Sequence, residues 1–217
     1  MSDNDQIILD SVLQQQRQQL APELSEAEFF EGFASEQALK DYDLSYEEIR
    51  SGIVDGGGDG GIDGIYVIAN GELVHEDSDL SQLKKGVQLD LVVVQSTTSA
   101  GFSESRLDRL TAATEDLFDL SKPLSDFKTV YNEAVLRETE IFRDTQQSLA
   151  SRFPQLRVTA CGLPSQTAFL RVFTNFSSID RLCSGRLARD RACPCVPRSR
   201  LAQRASAAGN FRQWPSD

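Results

Sequence analysis

A glycine–aspartate segment, residues 55–65, constrains this chain more than any other part of its sequence. Six of its eleven residues are glycine, three are aspartate, and the segment runs directly into apolar residues. Glycine allows the positive φ angles of tight turns, and aspartate also favours turns. Carboxylates brought close together on such a backbone are the hard oxygen ligands that a divalent cation prefers. We therefore predict a cation-binding turn at the mouth of a strand.

Two strands are predicted close to this segment. Residues 62–69 are mostly apolar, and the Asn70-Gly71 dipeptide that follows is a strong signal for a two-residue hairpin. Residues 89–95 form a nearly continuous apolar run. Such a run is typical of a central strand that is covered on both faces.

The second strand ends in polar residues. Side chains two positions apart on a strand point to the same face. Gln95 and Thr97 are therefore predicted to share a face, with Ser96 on the other. An aspartate at the start of one strand and polar residues at the end of its neighbour predict a site for metal-assisted chemistry.

The remaining elements are predicted to be mainly helical. Two capping boxes, Ser25 with Glu28 and Ser45 with Glu48, each open a helix. The acids Glu133, Glu138 and Glu140 of the last helix are interpreted as a solvated face. Together with the strands, these elements predict a mixed α/β layer architecture. The further predicted elements are helices over residues 5–20, 103–120 and 125–152 and a strand over residues 156–161.

Charge is distributed unevenly along the 217 residues. The formal net charge is -11, and the acidic residues concentrate before residue 164, whereas the last stretch is rich in arginine. An acidic body repels phosphate backbones, so any nucleic-acid partner is expected to bind weakly. The N-terminus has no secretory signal, and no apolar run approaches the roughly 20 residues of a membrane span. A cytoplasmic protein without a membrane partner is therefore expected.

The composition changes after about residue 162. Lysine and glutamate disappear, periodicity fades, and all four cysteines lie beyond residue 160. The Cys193-Pro-Cys195 spacing is not that of a zinc or redox motif. We predict a domain over residues 1–162 and a basic tail over residues 163–217. Two hypotheses for the tail stay open, an ordinary disordered segment and the product of a frameshift.

Residues 28–118 resemble the N-terminal region of abortive-infection phage-resistance (AIPR) proteins, whose nuclease-like domain resembles Mrr-type restriction endonucleases. The resemblance implies a restriction-endonuclease-like fold of the PD-(D/E)xK type, a mixed sheet flanked by helices. Members of the family are usually much longer, so we expect this chain to be truncated. The matching stretches are residues 30–33, 53–67, 70–71 and 92–104.

The resemblance also implies an active site. Asp63 matches the metal-binding aspartate, Gln95 the second active-site position, and Glu31 the helix acid that completes related sites. Asp59 is a further predicted metal ligand. The implied cofactor is Mg²⁺ or Mn²⁺, and the implied reaction is phosphodiester hydrolysis. Thr97 stands where the family has its lysine.

Threonine supplies no positive charge, so the nuclease activity is expected to be weak or absent. Losing one charge-stabilising group typically costs about 10²–10³ in rate. Lys84, Lys85 and Arg106 are candidates for a migrated substitute, and the sequence selects none of them.

Two other functions compete with the nuclease. The chain is alternatively a non-catalytic interaction module that retains the nuclease fold, and a homodimer is a further expectation. The glycine–aspartate segment also partly matches an EF-hand calcium loop. The segment lacks the glutamate that an EF-hand loop has at its last position, and a strand rather than a helix is predicted to follow it.

Overall fold

The computed structural model describes residues 3–54, 56–97, 103–164 and 170–174. In these ranges the predicted mixed α/β class is confirmed. None of the helices described combines the length and the apolarity that crossing a membrane requires. The helices are α1 (Asp3–Leu20), α2 (Glu26–Leu39), α3 (Tyr46–Ser51), α4 (Glu104–Leu117) and α5 (Glu133–Leu149). The strands are β1 (Gly64–Ala69), β2 (Glu72–Leu73), β3 (Gln88–Thr97), β4 (Gln155–Pro164) and β5 (Leu170–Thr174), and short 3₁₀ helices cover Leu80–Gln82, Leu124–Phe127 and Ala150–Arg152.

The strands form one mixed sheet with β3 at its centre. The spatial order is β2-β1-β3-β4-β5. β1 is antiparallel to β2 and β3, β3 is parallel to β4, and β4 is antiparallel to β5. Gly64 at the start of β1 is opposite Val94, so the glycine–aspartate segment meets the carboxyl end of β3.

Both faces of the sheet are covered, as predicted for β3. Leu89, Leu91 and Val93 face a core that contains residues of α4 and α5. Val92 and Val94 face a second core, formed with α2 and α3. This alternation follows from the two-residue period of a strand.

The local signals for the hairpin and the caps are confirmed. Asn70 and Gly71 have φ angles of 54° and 94°, as a type I′ hairpin turn requires. Ser25 and Ser45 both form reciprocal capping boxes with the glutamate three positions later. A strand follows the glycine–aspartate segment, so the EF-hand alternative lacks its second helix.

The predicted start of the last helix is wrong. The prediction placed it at residue 125, but α5 begins at Glu133 after a 3₁₀ turn. Asn132 is the N-cap, and its Oδ1 accepts a hydrogen bond from the Val135 amide at 2.8 Å. The Asn132 amide donates to the Gly58 carbonyl at 2.8 Å. Because this tertiary hydrogen bond takes the Asn132 amide out of the helical pattern, α5 begins only after Asn132. Periodicity within the sequence carries no signal for such a contact.

Two smaller boundary predictions also differ. β1 begins at Gly64 rather than residue 62, because the Ile62 amide donates to the Asp59 carbonyl within a turn. α4 ends at Leu117 rather than near residue 120.

The boundary predicted at residue 162 falls inside the sheet. β4 continues to Pro164, and β5 lies at Leu170–Thr174 within the predicted tail. β4 and β5 pair in register, so the sheet continues beyond the change in composition near residue 162 on which the prediction relied. The other residues of the predicted tail, including Cys193 and Cys195, lie outside the described ranges.

An ion pair between the buried Asp90 and the partly exposed Arg157 lies at the end of the sheet where β3 begins. The Asp90 side chain is only 3 % exposed and lies 2.7 Å from Arg157 Nη2. Arg157 Nε also donates to Asp90 at 2.8 Å, and the Tyr42 hydroxyl and Gln88 Nε2 complete its partners. Burial raises the pKa of Tyr42 to about 12, and the charge of Asp90 acts in the same direction. Both carboxylate oxygens of Asp90 therefore accept hydrogen bonds from residues of the fold.

Candidate functional site

The residues predicted for the active site come together around one open cavity at the carboxyl end of β3. The cavity has a volume of about 280 Å³ and lies where the glycine–aspartate segment, β3, α2 and the start of α4 meet. All five predicted site residues line it, together with two arginines. The lining residues are Ala27, Phe30, Glu31, Asp59, Gly61, Asp63, Gln95, Ser96, Thr97, Arg106 and Arg109.

Gln95 and Thr97 provide the floor of the cavity. They are 5 % and 7 % exposed. Gln95 Oε1 is buried, and none of the described residues hydrogen-bonds to it. Leaving a buried carbonyl oxygen unsatisfied costs about 1–3 kcal/mol, so such an atom at a cavity is a candidate ligand for a cation.

Asp63 is tied to the end of β3. Its Oδ2 accepts hydrogen bonds from both the amide and the hydroxyl of Ser96, the latter at 2.8 Å. Its backbone amide donates to the Val94 carbonyl at 2.9 Å. Ser96, which was predicted on the other face of β3, lines the same cavity as Gln95, and sequence reasoning missed its role in orienting the aspartate.

Asp59 shapes the turn that precedes β1. Its Oδ1 accepts a hydrogen bond of 2.6 Å from the Gly61 amide. Gly60 and Gly61 have φ angles of 69° and 82°, a region that favours glycine. A Cβ on Gly61 would lie 3.0 Å from Gln95 Nε2, so the glycine lets the turn approach the floor of the cavity.

Glu31 reaches the cavity from α2. Ala34 and Ala38 share its helical face and are fully buried, at 0 % and 4 % exposure. Glu31 itself is half-buried and lines the cavity. Both alanines pack in the core that contains Val92 and Val94 of β3, which brings this face of α2 against the sheet.

Two arginines of α4 bring positive charge to the site. Arg106 Nη1 donates a hydrogen bond to Thr97 Oγ1. Arg109, one helical turn later, lies beside the glycine turn, where a Cβ on Gly61 would be 3.5 Å from its Cδ. Among the described residues, three carboxylates and two guanidinium groups therefore surround the cavity.

The helical pattern of α4 holds a signal for Arg106. Leu110, Ala113 and Leu117 are the buried residues of this helix. Arg106 precedes Leu110 by four positions and so lies on the same stripe. The stripe points at the sheet, which the sequence alone did not reveal.

The side chains fit a hydrated divalent ion better than a closed cage. The described residues contain no group of three or more His, Cys, Asp and Glu side chains placed to hold a metal together. Mg²⁺ usually keeps several waters and binds through one or two carboxylates. Asp63 supplies one such carboxylate, and Gln95 Oε1, to which no described residue hydrogen-bonds, offers a further oxygen ligand. Glu31 and Asp59 remain predictions as direct ligands.

A second, larger cavity of about 660 Å³ lies between β2, α3 and α5 and contains none of the predicted site residues. Glu138 at its wall is 8 % exposed, so its interpretation as part of a solvated helix face is wrong. Burial raises the pKa of the Glu138 carboxyl, which Arg137 contacts at 3.1 Å. Glu138 lies between Val135 and Phe142 on the apolar stripe of α5, which explains its burial.

Comparisons of the chain with protein-family models, with curated proteins and with solved structures found no match.

Proposed function

We propose that this chain contains a restriction-endonuclease-like domain of the kind found in AIPR phage-defence proteins, with Mg²⁺- or Mn²⁺-dependent phosphodiester hydrolysis as its reaction. One observation carries the proposal. Residues selected from the sequence at positions 31, 59, 63, 95 and 97 line a single cavity, and two arginines line it as well. Such convergence of carboxylates, an amide oxygen and guanidinium groups suits a metal ion and a phosphate together.

Each side chain has a role in this proposal. Asp63 and Gln95 hold the ion, and Ser96 orients Asp63 through its two hydrogen bonds. A bound divalent ion supplies charge stabilisation to the phosphoryl group and lowers the pKa of a bound water. Glu31 and Asp59 add negative charge beside the ion. The guanidinium groups of α4 attract and orient phosphate oxygens.

Metal binding is the first test of this function. Thermal unfolding is measured with and without Mg²⁺ for the unaltered chain, Asp63→Ala and Asp77→Ala. Asp77 is an exposed carboxylate that lines the other cavity, so it serves as a charge-matched control. We expect Mg²⁺ to raise the melting temperature of the unaltered chain and the control but not of Asp63→Ala, because a ligand that binds only the folded state stabilises it. Equal stabilisation of all three proteins would overturn the proposed site.

Hydrolysis is the second test. A supercoiled plasmid and a single-stranded RNA are incubated with the chain and Mg²⁺, and nicked or shortened products are counted. We expect slow cleavage that Asp63→Ala abolishes. Cleavage that survives Asp63→Ala would assign the reaction to another site.

A non-catalytic interaction module is the second candidate. Thr97 at the lysine position and the lack of a three-acid cluster among the described residues favour it. On this alternative the fold persists without metal binding. The absence of any Mg²⁺ or Mn²⁺ stabilisation in the thermal test would select it.

A further inference from the structure

Thr97 stands at the position where the proposed family has its lysine. A cationic side chain of α4, Arg106, contacts Thr97. The guanidinium of Arg106 donates to Thr97 Oγ1. Arg106 is half-buried and lines the same cavity as Asp63 and Gln95. The hydrogen bond and the shared cavity together fix this charge beside the residues proposed to hold the metal.

The start of α4 positions Arg106. Ser103 is the N-cap, and its hydroxyl accepts a hydrogen bond from the Arg106 amide at 3.3 Å. Leu110 and Leu117 anchor the inner face of the helix in the core. The backbone of Arg106 is therefore held by the cap at one end and by apolar packing at the other.

Lys84 and Lys85, the other candidates for the positive charge, lie far from the cavity. Lys84 and Lys85 precede β3, whereas Thr97 is its last residue. A strand of ten residues spans roughly 30 Å at about 3.3 Å per residue. Neither lysine can reach the cavity in this fold.

We propose that Arg106 supplies, from α4, the positive charge that Thr97 cannot supply from β3. This assignment rests on the nuclease function proposed above and adds its charge-stabilising residue and its ligand, the phosphodiester backbone. A guanidinium stays protonated in proteins and offers paired N–H donors that match phosphate oxygens. Arg106 therefore stabilises negative charge on the phosphoryl oxygens and does not exchange a proton with the attacking water.

The role of Thr97 follows from the same contact. Its hydroxyl accepts from Arg106 and so orients the guanidinium. A lysine at this position would place a second cation against Arg106. Thr97→Lys alone is therefore expected to bring little gain, whereas Thr97→Lys combined with Arg106→Ala restores a single charge at the site.

The experiment compares Arg106→Ala, Arg106→Lys and the control Lys85→Ala, which removes the same charge from an exposed position at the other end of β3. Melting temperatures confirm that each variant folds. The first readout is the anisotropy of a labelled DNA oligonucleotide and of an RNA of the same sequence, without divalent metal. The second readout is plasmid cleavage with Mg²⁺.

We expect Arg106→Ala to weaken oligonucleotide binding and to lower cleavage by about 10²–10³. Arg106→Lys should keep most of the binding, and Lys85→Ala should match the unaltered chain. A preference for one oligonucleotide identifies the nucleic acid. Binding and cleavage by Arg106→Ala equal to those of the unaltered chain would overturn the assignment, as would an equal loss in Lys85→Ala.

The double variant gives an independent outcome. Recovery in Thr97→Lys/Arg106→Ala supports the assignment, and a large gain in Thr97→Lys alone contradicts it. The two proposals fail differently. If Mg²⁺ does not stabilise the unaltered chain, the nuclease function is contradicted. If Mg²⁺ stabilises the unaltered chain but Arg106→Ala binds and cleaves as the unaltered chain does, only the role of Arg106 is contradicted.

Discussion

Asp63 accepts two hydrogen bonds from a single residue, Ser96, through its amide and its hydroxyl. The carboxylate is thereby fixed to the end of the central strand. Groups that orient a metal ligand typically change metal affinity by 10–100-fold when they are lost. The hydroxyl of Ser96 is the part of this contact that mutation can remove.

We predict that Ser96→Ala weakens Mg²⁺ binding by about tenfold or more. Isothermal titration with Mg²⁺ measures the change, and Ser96→Thr, which keeps the hydroxyl, should retain the affinity. If Ser96→Ala binds Mg²⁺ as tightly as the unaltered chain, the hydroxyl does not orient the ligand.

Gly60 is predicted to tolerate no side chain. Its φ is 69°, and a Cβ would lie 2.7 Å from Tyr131 Cε1 and 2.8 Å from Ala113 Cβ. Gly60→Ala should lower the free energy of unfolding by about 1–3 kcal/mol, since it combines backbone strain with a clash. Gly57 in the same turn has open space and no positive φ, so Gly57→Ala is the control. Urea denaturation of both variants makes the comparison, and equal stabilities would contradict the described turn.

Glu138 gives the protein a pH dependence. Burial raises the pKa of this carboxyl above its usual value of 4.5. The folded state therefore binds more protons than the unfolded state, and the free energy of unfolding falls as pH rises from about 4.5 through the raised pKa. Glu138→Gln should remove this fall.

Urea denaturation at several pH values between about 4 and 7 measures the effect. Relative to the unaltered chain, Glu138→Gln should become progressively more stable as pH rises. Glu140→Gln, on the exposed side of the same helix, is the control. Parallel pH curves for all three proteins would show that Glu138 ionises as an exposed glutamate does.

The ion pair between Arg157 and Asp90 is predicted to stabilise the fold without contributing to the site. Arg157→Ala leaves a carboxylate that is 3 % exposed without its main partner. We expect a loss of about 3 kcal/mol, the lower end for a broken buried pair, because the Arg157 side chain is itself 44 % exposed. Chemical denaturation measures the loss. Mg²⁺ affinity should stay unchanged, and a parallel loss of affinity would link the two ends of the sheet.

The elements with local signals could be predicted from the sequence. The capping serines, the Asn70-Gly71 hairpin and the apolar run of β3 each determine their own conformation over a few residues. The five site residues could be selected because each follows or precedes such an element or matches a family motif. Their convergence on one cavity depends on the antiparallel pairing of β1 with β3 and on the packing of α2 against the sheet, whereas the hairpin signal implies only the pairing of β1 with β2.

Long-range contacts could not be predicted. The start of α5 depends on a hydrogen bond between Asn132 and Gly58, and the parallel pairing of Gln88 with Gln155 joins distant segments. The choice of Arg106 over Lys85 required the direction of the inner face of α4. The helical pattern of α4 places Arg106 on the same stripe as Leu110, but which part of the sheet this stripe faces depends on tertiary packing.

Asn132 holds both the first turn of α5 and the glycine turn that carries Asp59. Besides capping the helix, it donates from its amide to the Gly58 carbonyl and from Nδ2 to the Val54 carbonyl at 3.3 Å. Local opening of one element would therefore break the hydrogen bonds of the other. In hydrogen exchange, the amides of Asn132 and Val135 should be released by the same opening event. A metal ion that slows this opening should then protect amides of α5 that it never touches.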